Sequence, residues 1–444
     1  MQPPGPVMAP PLLTLDVVQT VALGGLALFL GYRIKKAIPS LARYNIPAAV
    51  VGGMVVAFLT LASWSSGTTL LGFDTSIRQP LQIAFFTTIG FGASLSLLRI
   101  GGPLVAFFFL LSTVAAVLQN VVGVMVARLL GEAPLLGVLA GSVTLTGGPA
   151  TGLAFAPLFE RAGVVGAETI AVAAAMMGIV AGGVLGGPIA TTLIKRHRIR
   201  PVGAVREPPL RVGTDALAAT GVPDRAEAVI EAAAGEPLVP TPKGEDVEAY
   251  ALLKNLVAIL VAMALGTWVS LWLNGASFTI PGIGTRQLTL PSYIGAMLVA
   301  AAIRNLDDFT RVISLSQRML DDLGTVSLAL FIAVSLMTLQ LWQLAGLALP
   351  LTIILLAQVA LIVLLCLWPI YRFMGRNYDA AVISGGFCGF MLGTTANAMA
   401  NMETLVERYG PSPKAFLVVP MVGAFFIDFT NAIIISFFLT LWGA

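Results

Sequence analysis

Ten apolar runs punctuate this chain, near residues 17–32, 46–64, 80–98, 103–127 and 168–194, then near 251–273, 290–303, 323–341, 345–371 and 414–442. Each reads as a helix that crosses about 30 Å of hydrocarbon. Two further stretches, 135–158 and 380–402, break the pattern. They are apolar overall but concentrate glycine, threonine and asparagine, as Thr144-Leu-Thr-Gly-Gly-Pro-Ala-Thr-Gly152 and Gly385-Gly-Phe-Cys-Gly-Phe-Met-Leu-Gly-Thr-Thr-Ala-Asn397. Each is followed by a charged turn, Glu160-Arg-Ala-Gly163 or Glu407-Arg-Tyr-Gly410. A continuous lipid-facing helix has no use for such residues. Interrupted segments at corresponding places in two halves point instead to the binding site of a secondary transporter.

Composition places the chain in a bilayer. Of 444 residues 57% are hydrophobic and 11% are charged, against about 25% charged in a soluble protein. Mean hydropathy is +0.92. Eight Lys/Arg and nine Asp/Glu crowd into Lys195–Glu248, leaving few charges for the rest. That segment, 195–250, is rich in Pro, Arg and Glu and poor in bulky apolar residues, so it reads as a mostly disordered linker. Within it Pro223–Gly235 has the Pro-first, Gly-last pattern of a short helix. A net charge of +3 gives no reason to expect nucleic acid as a partner. Cys366 and Cys388 lie in apolar segments and read as small hydrophobes.

Charge bias decides how the two glycine-rich stretches enter the membrane. Met1–Asp16 has no Lys or Arg, and the first positive cluster, Arg33-Ile-Lys-Lys36, follows the first apolar run. That run is expected to remain as a helix with its N-terminus outside the cell. If both stretches are re-entrant hairpins, 21 of the 25 basic residues face the cytoplasm. Only Arg78, Arg128, Arg161 and Arg286 then lie outside. Full crossings would move the basic linker outside, against the positive-inside rule. Each half then has five spans, an odd number, so the halves are inverted repeats and both chain termini lie outside. Ile46-Pro47 matches Leu290-Pro291, Gln119 matches Gln358 and Gly147 matches Gly393, in the same order and at similar offsets. The expectation is an all-α membrane protein in two repeats, 1–194 and 251–444, joined by the linker.

Backbone that is not helical survives in a membrane only where protein or a water-filled cavity surrounds it. A hairpin tip therefore offers free N–H and C=O groups to a ligand. Gly147, Gly148, Gly152, Gly389 and Gly393 allow close backbone approach, and Thr146, Thr151, Thr394, Thr395, Asn397 and Asn401 add neutral hydrogen-bonding groups. The same small residues also serve tight helix packing. Asp428 is the one carboxylate well inside an expected span, about 21 Å along the helix from Lys414. Placing it there costs about 2.5–3.5 kcal/mol on insertion scales, which argues for a polar interior. Asn431 shares its face three residues on, and both offer oxygens suited to a hard cation such as Na⁺. Gln119 and Asn120 read as glue between helices, and Asp321 and Asp322 as favourable charges at a helix N-terminus.

Enzyme chemistry finds no support. The one histidine, His197, sits at the edge of the linker, so no Ser/His/Asp arrangement forms in the membrane. There is no Walker P-loop, which argues against ATP-driven pumping. No cofactor is expected, only a coupling ion. A passive channel is the remote alternative.

Several longer matches resemble the bacterial sodium/glutamate symporter family. They are Ala84-Phe-Phe-Thr-Thr-Ile-Gly90, Leu139-Ala-Gly-Ser-Val-Thr-Leu-Thr-Gly-Gly148, Gly186-Gly-Pro188, Tyr378-Asp-Ala-Ala-Val382, Ala400-Asn-Met402, Glu407-Arg-Tyr-Gly-Pro-Ser412 and Ala415-Phe-Leu-Val-Val-Pro-Met-Val-Gly-Ala-Phe-Phe-Ile-Asp428. The resemblance implies Na⁺-coupled uptake of glutamate or a related acidic amino acid across the bacterial inner membrane. It also implies a homodimer with one hairpin entering from each side, and transport domains that move elevator-like against a fixed scaffold. The resemblance carries hairpin function over to Gly147, Gly148, Thr151, Gly152, Gly389, Gly393 and Asn401. Together with the reading of the residues above, the substrate site is expected on Thr146, Gly147, Gly148, Thr151, Gly152, Gly393, Thr394, Thr395 and Asn397, and the Na⁺ site on Asp428, Asn431 and Asn401. Two departures stand out. Pro149 and Ala150 replace the His-Gly usual in the first hairpin, and Phe387 stands where the second usually has His. A Na⁺-coupled di- or hydroxycarboxylate carrier is therefore the nearest alternative.

Overall fold

The computed structural model describes residues 11–68, 70–199, 245–275, 277–280, 284–287, 290–344 and 346–443. Most of the 195–250 linker, with the short helix expected over 223–235, lies outside them. The first half runs through α1 (Val17–Ala37), α2 (Pro39–Arg43), α3 (Ala48–Ser65), α4 (Arg78–Phe91), α5 (Leu95–Leu129), α6 (Pro134–Val138), α7 (Gly148–Arg161) and α8 (Ala167–Arg196). The second runs through α9 (Glu245–Asn274), α10 (Tyr293–Thr310), α11 (Gln317–Met337), α12 (Ala348–Leu365), α13 (Tyr371–Phe373), α14 (Tyr378–Leu392), α15 (Thr395–Tyr409), α16 (Pro413–Met421) and α17 (Ile427–Trp442). Two short strand pairs lie between helices: β1 (Leu13–Leu15) is parallel to β2 (Leu71–Phe73), and β3 (Ser277–Ile280) is antiparallel to β4 (Gly284–Gln287). This is an all-α membrane protein.

Local chemistry explains the helix boundaries. Asp16 and Gln19 form a reciprocal capping box at the start of α1, and Lys35 and Lys36 occupy its last turn, where the negative end of the helix dipole favours them. In α5, Gly102 takes φ +61°, so the expected span beginning at residue 103 is a separate straight segment after a joint. α11 starts six residues before the apolar run, because Asn255 Oδ1 on α9 accepts the Ser316 N–H at 3.1 Å. Asp321 and Asp322 therefore sit beyond the first turn, and Asp321 accepts a hydrogen bond from Gln317 at 2.8 Å. The last expected span is two helices, α16 and α17, joined by a wide turn over Val422–Phe426. Pro420, which has no N–H to give, stands just before it.

Among the described residues seven helices are long and apolar enough to cross a membrane: α1, α3, α5 from Gly102, α8, α9, α11, and α12 continued to Phe373. The other three expected spans are shorter or more polar. α4 has 14 residues, α17 has 16, and α10 carries Arg304, Asp307 and Asp308 near its end. Leu260, Trp268, Leu271 and Trp272 of α9 are mostly exposed. Leaving such side chains in water forfeits about 1.5–3 kcal/mol each relative to an apolar environment, so lipid or another chain covers this face.

Packing sorts the helices into two groups. Three helices of each half, α1, α3 and α4 with α9, α10 and α11, pack mainly on one another. The remaining elements, α5 to α8 and α12 to α17, form the second group and hold most of the largest buried cluster. A similar order of elements occurs in both halves: three helices of the first group, a fourth helix, a broken pair and a final segment, which is one helix (α8) in the first half and two (α16, α17) in the second.

Candidate functional site

The two glycine-rich stretches are both helices interrupted by a break. In the first, α6 leads into a wide turn at Leu139–Val143 before α7 starts at Gly148. Gly148 has φ +67°, which costs a side-chain-bearing residue about 1–2 kcal/mol. Pro149 follows in the first turn, where no intrahelical partner awaits its missing N–H. In the second, α14 ends at Leu392 and α15 starts at Thr395, with Thr394 Oγ1 accepting the Asn397 N–H at 3.3 Å.

The breaks face each other. A side chain at Gly148 would start 3.5 Å from the Gly393 carbonyl oxygen and 3.7 Å from Thr394 Cγ2. The N-termini of α7 and α15 thus converge. Each helix N-terminus carries about half a positive charge, an arrangement that favours an anion nearby. Thr394 and Thr395 are half-buried and Ala396 is exposed, which leaves the second N-terminus open to a ligand.

Gln119 ties the two breaks together. Its Nε2 donates to the Met391 carbonyl at 2.8 Å, and its Oε1 accepts from Thr146 Oγ1 at 2.6 Å. Gln358 Nε2 of α12 donates to the Gln119 carbonyl at 2.7 Å. The neighbouring Asn120 Oδ1 accepts the Ser142 N–H at 2.9 Å. Gln119 and Asn120 thus act as the glue between helices that the sequence suggested, with both broken stretches as its targets. The match of Gln119 with Gln358 was a usable signal, but spacing alone does not say what a buried amide holds.

Asn431 Nδ2 donates to the Ser142 carbonyl at 2.9 Å, and Thr395 Oγ1 donates to the Gly423 carbonyl at 3.5 Å. The segment from Gly423 to Asn431 is therefore pinned to both broken stretches, and Asp428 lies between the two contacts. The amide oxygens of Asn431, Asn397 and Gln358 are buried without a hydrogen-bond partner among the described residues. Buried oxygens left unpaired are costly, and oxygens of this kind suit a hard ion such as Na⁺.

Asn401 belongs elsewhere. Its Nδ2 donates to the Gly182 carbonyl at 3.0 Å, while Asn397 Nδ2 donates to the Ile179 carbonyl at 2.7 Å. Both asparagines, four residues apart, line up on α8, whose Gly178 and Gly186 leave no room for a Cβ against α14 and α15 and whose Gly182 leaves little. Asn401 and Asn431 thus bond to different elements. Gly152 packs on Ala171 of α8, and Gly389 on the Asn397–Ala398 backbone; both are packing glycines. Thr151 is buried beneath Gly147. A separate cleft of about 410 Å³ between α8 and α15, with Thr191, Thr404 and Arg408 in its lining, does not include the breaks.

A family model described as Sodium/glutamate symporter matches residues 13–411. The chain belongs to the sodium/glutamate symporter family. It is 39% identical over 428 residues to the sodium/glutamate symporter of Escherichia coli (strain K12), covering 96% of this chain and 98% of that protein. The corresponding protein of Haemophilus influenzae is 38% identical, over 95% of this chain and 97% of its own. The stretch matched by the sodium/glutamate symporter model takes in both breaks and the Gln119 bridge, and ends before α16.

Proposed function

We propose that this protein carries glutamate, or a related acidic amino acid, together with Na⁺ across the bacterial inner membrane. The observation that carries the reading is the meeting of two half-helix N-termini at Gly148 and Gly393–Thr394. Two positive helix ends suit a substrate with two carboxylates, and the names of the family relatives specify glutamate and sodium. The substrate binds at the first turns of α7 and α15, with Thr146, Thr151, Thr394 and Thr395 around it. Na⁺ binds at Asp428 and Asn431, and Asn397 Oδ1, unpartnered among the described residues, is a further candidate ligand beside Asn401.

Both broken stretches are re-entrant, the first from outside and the second from the cytoplasm. Contacts at their ends support this. The Arg78–Glu168 ion pair at 2.7 Å joins the starts of α4 and α8; two crossings separate them only if α6 and α7 do not add a third. Asp379 and Lys414, 3.9 Å apart, likewise join the start of α14 to the start of α16. The halves are then inverted repeats, 1–194 and 251–444, and both termini lie outside. The first helix group is the scaffold, through which two copies form a homodimer, and the second is the moving transport body of an elevator.

Uptake into proteoliposomes tests the function. Radiolabelled glutamate should accumulate with an inward Na⁺ gradient and not without one. Competition by malate or citrate stronger than by aspartate would move the substrate to the di- or hydroxycarboxylates. Cysteines at Thr151 and Thr395, in a background lacking Cys366 and Cys388, test the hairpins. Labelling of both from one side only, under all ligand conditions, would count against opposed entry.

A further inference from the structure

Arg78 stands where two general preferences disfavour a cation. It is the first residue of α4, at the positive end of the helix dipole. On the re-entrant reading it is also one of four basic residues outside the cytoplasm, against the positive-inside rule. Its partners account for it. Nη2 donates to Glu168 Oε1 at 2.7 Å, and Nε donates to Ser335 Oγ at 3.1 Å. Ser335 is fully buried, and the Arg78 and Glu168 side chains are 18% and 19% exposed. Glu168 lies in the first turn of α8, where the dipole favours a carboxylate.

Arg78 and Ser335 belong to the first helix group and Glu168 to the second. The pair therefore joins the two groups, whereas Arg304–Asp308 lies within the first and Lys414–Asp379 within the second. The junction also has an apolar part, where Leu153 and Val172 of the second group pack with Ala49, Val50, Phe331 and Leu336 of the first. Apolar contact is non-directional, so a sliding group can exchange such neighbours for others. A charge-assisted hydrogen bond demands one geometry, and the bond to Ser335 fixes the guanidinium that offers it. We propose that Arg78 and Glu168 form a latch: the ion pair holds the second group in this register against the first and parts whenever that group slides. The proposal rests on the elevator reading above. It adds which contact sets the balance between the two positions. Because α8 packs on α7, α14 and α15, release of Glu168 frees the body that holds both breaks.

Spin labels on Phe58→Cys of α3 and Val184→Cys of α8, both exposed positions, report the distance between the groups by pulsed electron resonance. The background lacks Cys366 and Cys388, and labelled protein is mixed with excess unlabelled protein in liposomes so that distances within one copy are read. Glu168→Gln should lower the ratio of molecules at this structure's distance to those at the other about fivefold, the size expected of an ion pair still in contact with water. Arg78→Gln should do the same. The double variant should shift no further than either single one, and the exchanged pair, Arg78→Glu with Glu168→Arg, should recover part of the ratio. An unchanged ratio in both single variants, or single effects that add in the double variant, overturns the latch and leaves the pair a static contact. A single distance with Arg78 and Glu168 intact, whatever the Na⁺ and glutamate concentrations, would instead overturn the elevator reading, and the latch with it.

Discussion

Thr146 donates a 2.6 Å hydrogen bond to Gln119, whose amide nitrogen reaches 2.8 Å to the Met391 carbonyl in the other broken stretch. One side chain on α5 therefore sets the position of both breaks. Gln119→Leu leaves Thr146 Oγ1 and the Met391 carbonyl unpaired in a dry interior, at about 1–3 kcal/mol each. Glutamate uptake should fall at least tenfold in kcat/KM, with the protein still reaching the membrane. Thr146→Val should cause a smaller loss, because Gln119 keeps its bond to Met391. Kinetics of the two variants in proteoliposomes check the order.

Asp428→Asn removes the charge expected to hold Na⁺ and keeps the shape. The Na⁺ concentration for half-maximal uptake should rise strongly, or uptake should stop, while size-exclusion behaviour in detergent stays that of wild type. A variant with wild-type Na⁺ dependence would remove Asp428 from the ion site.

The electrical test does not assume the substrate. An acidic amino acid carries a net charge of about −1 at neutral pH, so two or more Na⁺ bring net positive charge inward. Each charge gains about 2.3 kcal/mol per 100 mV of inside-negative potential, nearly two orders of magnitude in accumulation. A potential clamped negative with valinomycin should therefore accelerate Na⁺-driven uptake. Uptake independent of potential would mean one Na⁺ per monoanion, or two per dianion.

Asp307, past the apolar part of α10, predicts a pH effect on stability. Burial pushes its carboxyl up, but the N–H groups of Leu315, Ile313 and Ser314, at 2.9, 2.8 and 3.0 Å, together with Arg304, outweigh that and hold it below its ordinary 3.8. A folded-state value below the unfolded one adds stability above pH 3.8 that is lost as pH falls through the lowered value. Asp307→Asn should therefore lower Tm at pH 7. Its deficit should shrink once the pH drops below the lowered value, as thermal unfolding of both proteins across that range would reveal.

Sequence alone carried the bilayer, seven of the ten expected spans as long apolar helices, and the two interrupted stretches. Hydrophobic length and the cost of glycine, threonine and asparagine in lipid are local properties, legible residue by residue. The partners of the polar groups were not. Gly152 and Gly389 looked like places for a ligand, and became packing residues because α8 and α15 press against them. Asn401 looked like a companion of Asp428, yet bonds to Gly182 of α8. Only the tertiary structure set Gly148 against Gly393, because the close approach of two helix ends some 240 residues apart depends on how the intervening helices pack, and no local pattern records it.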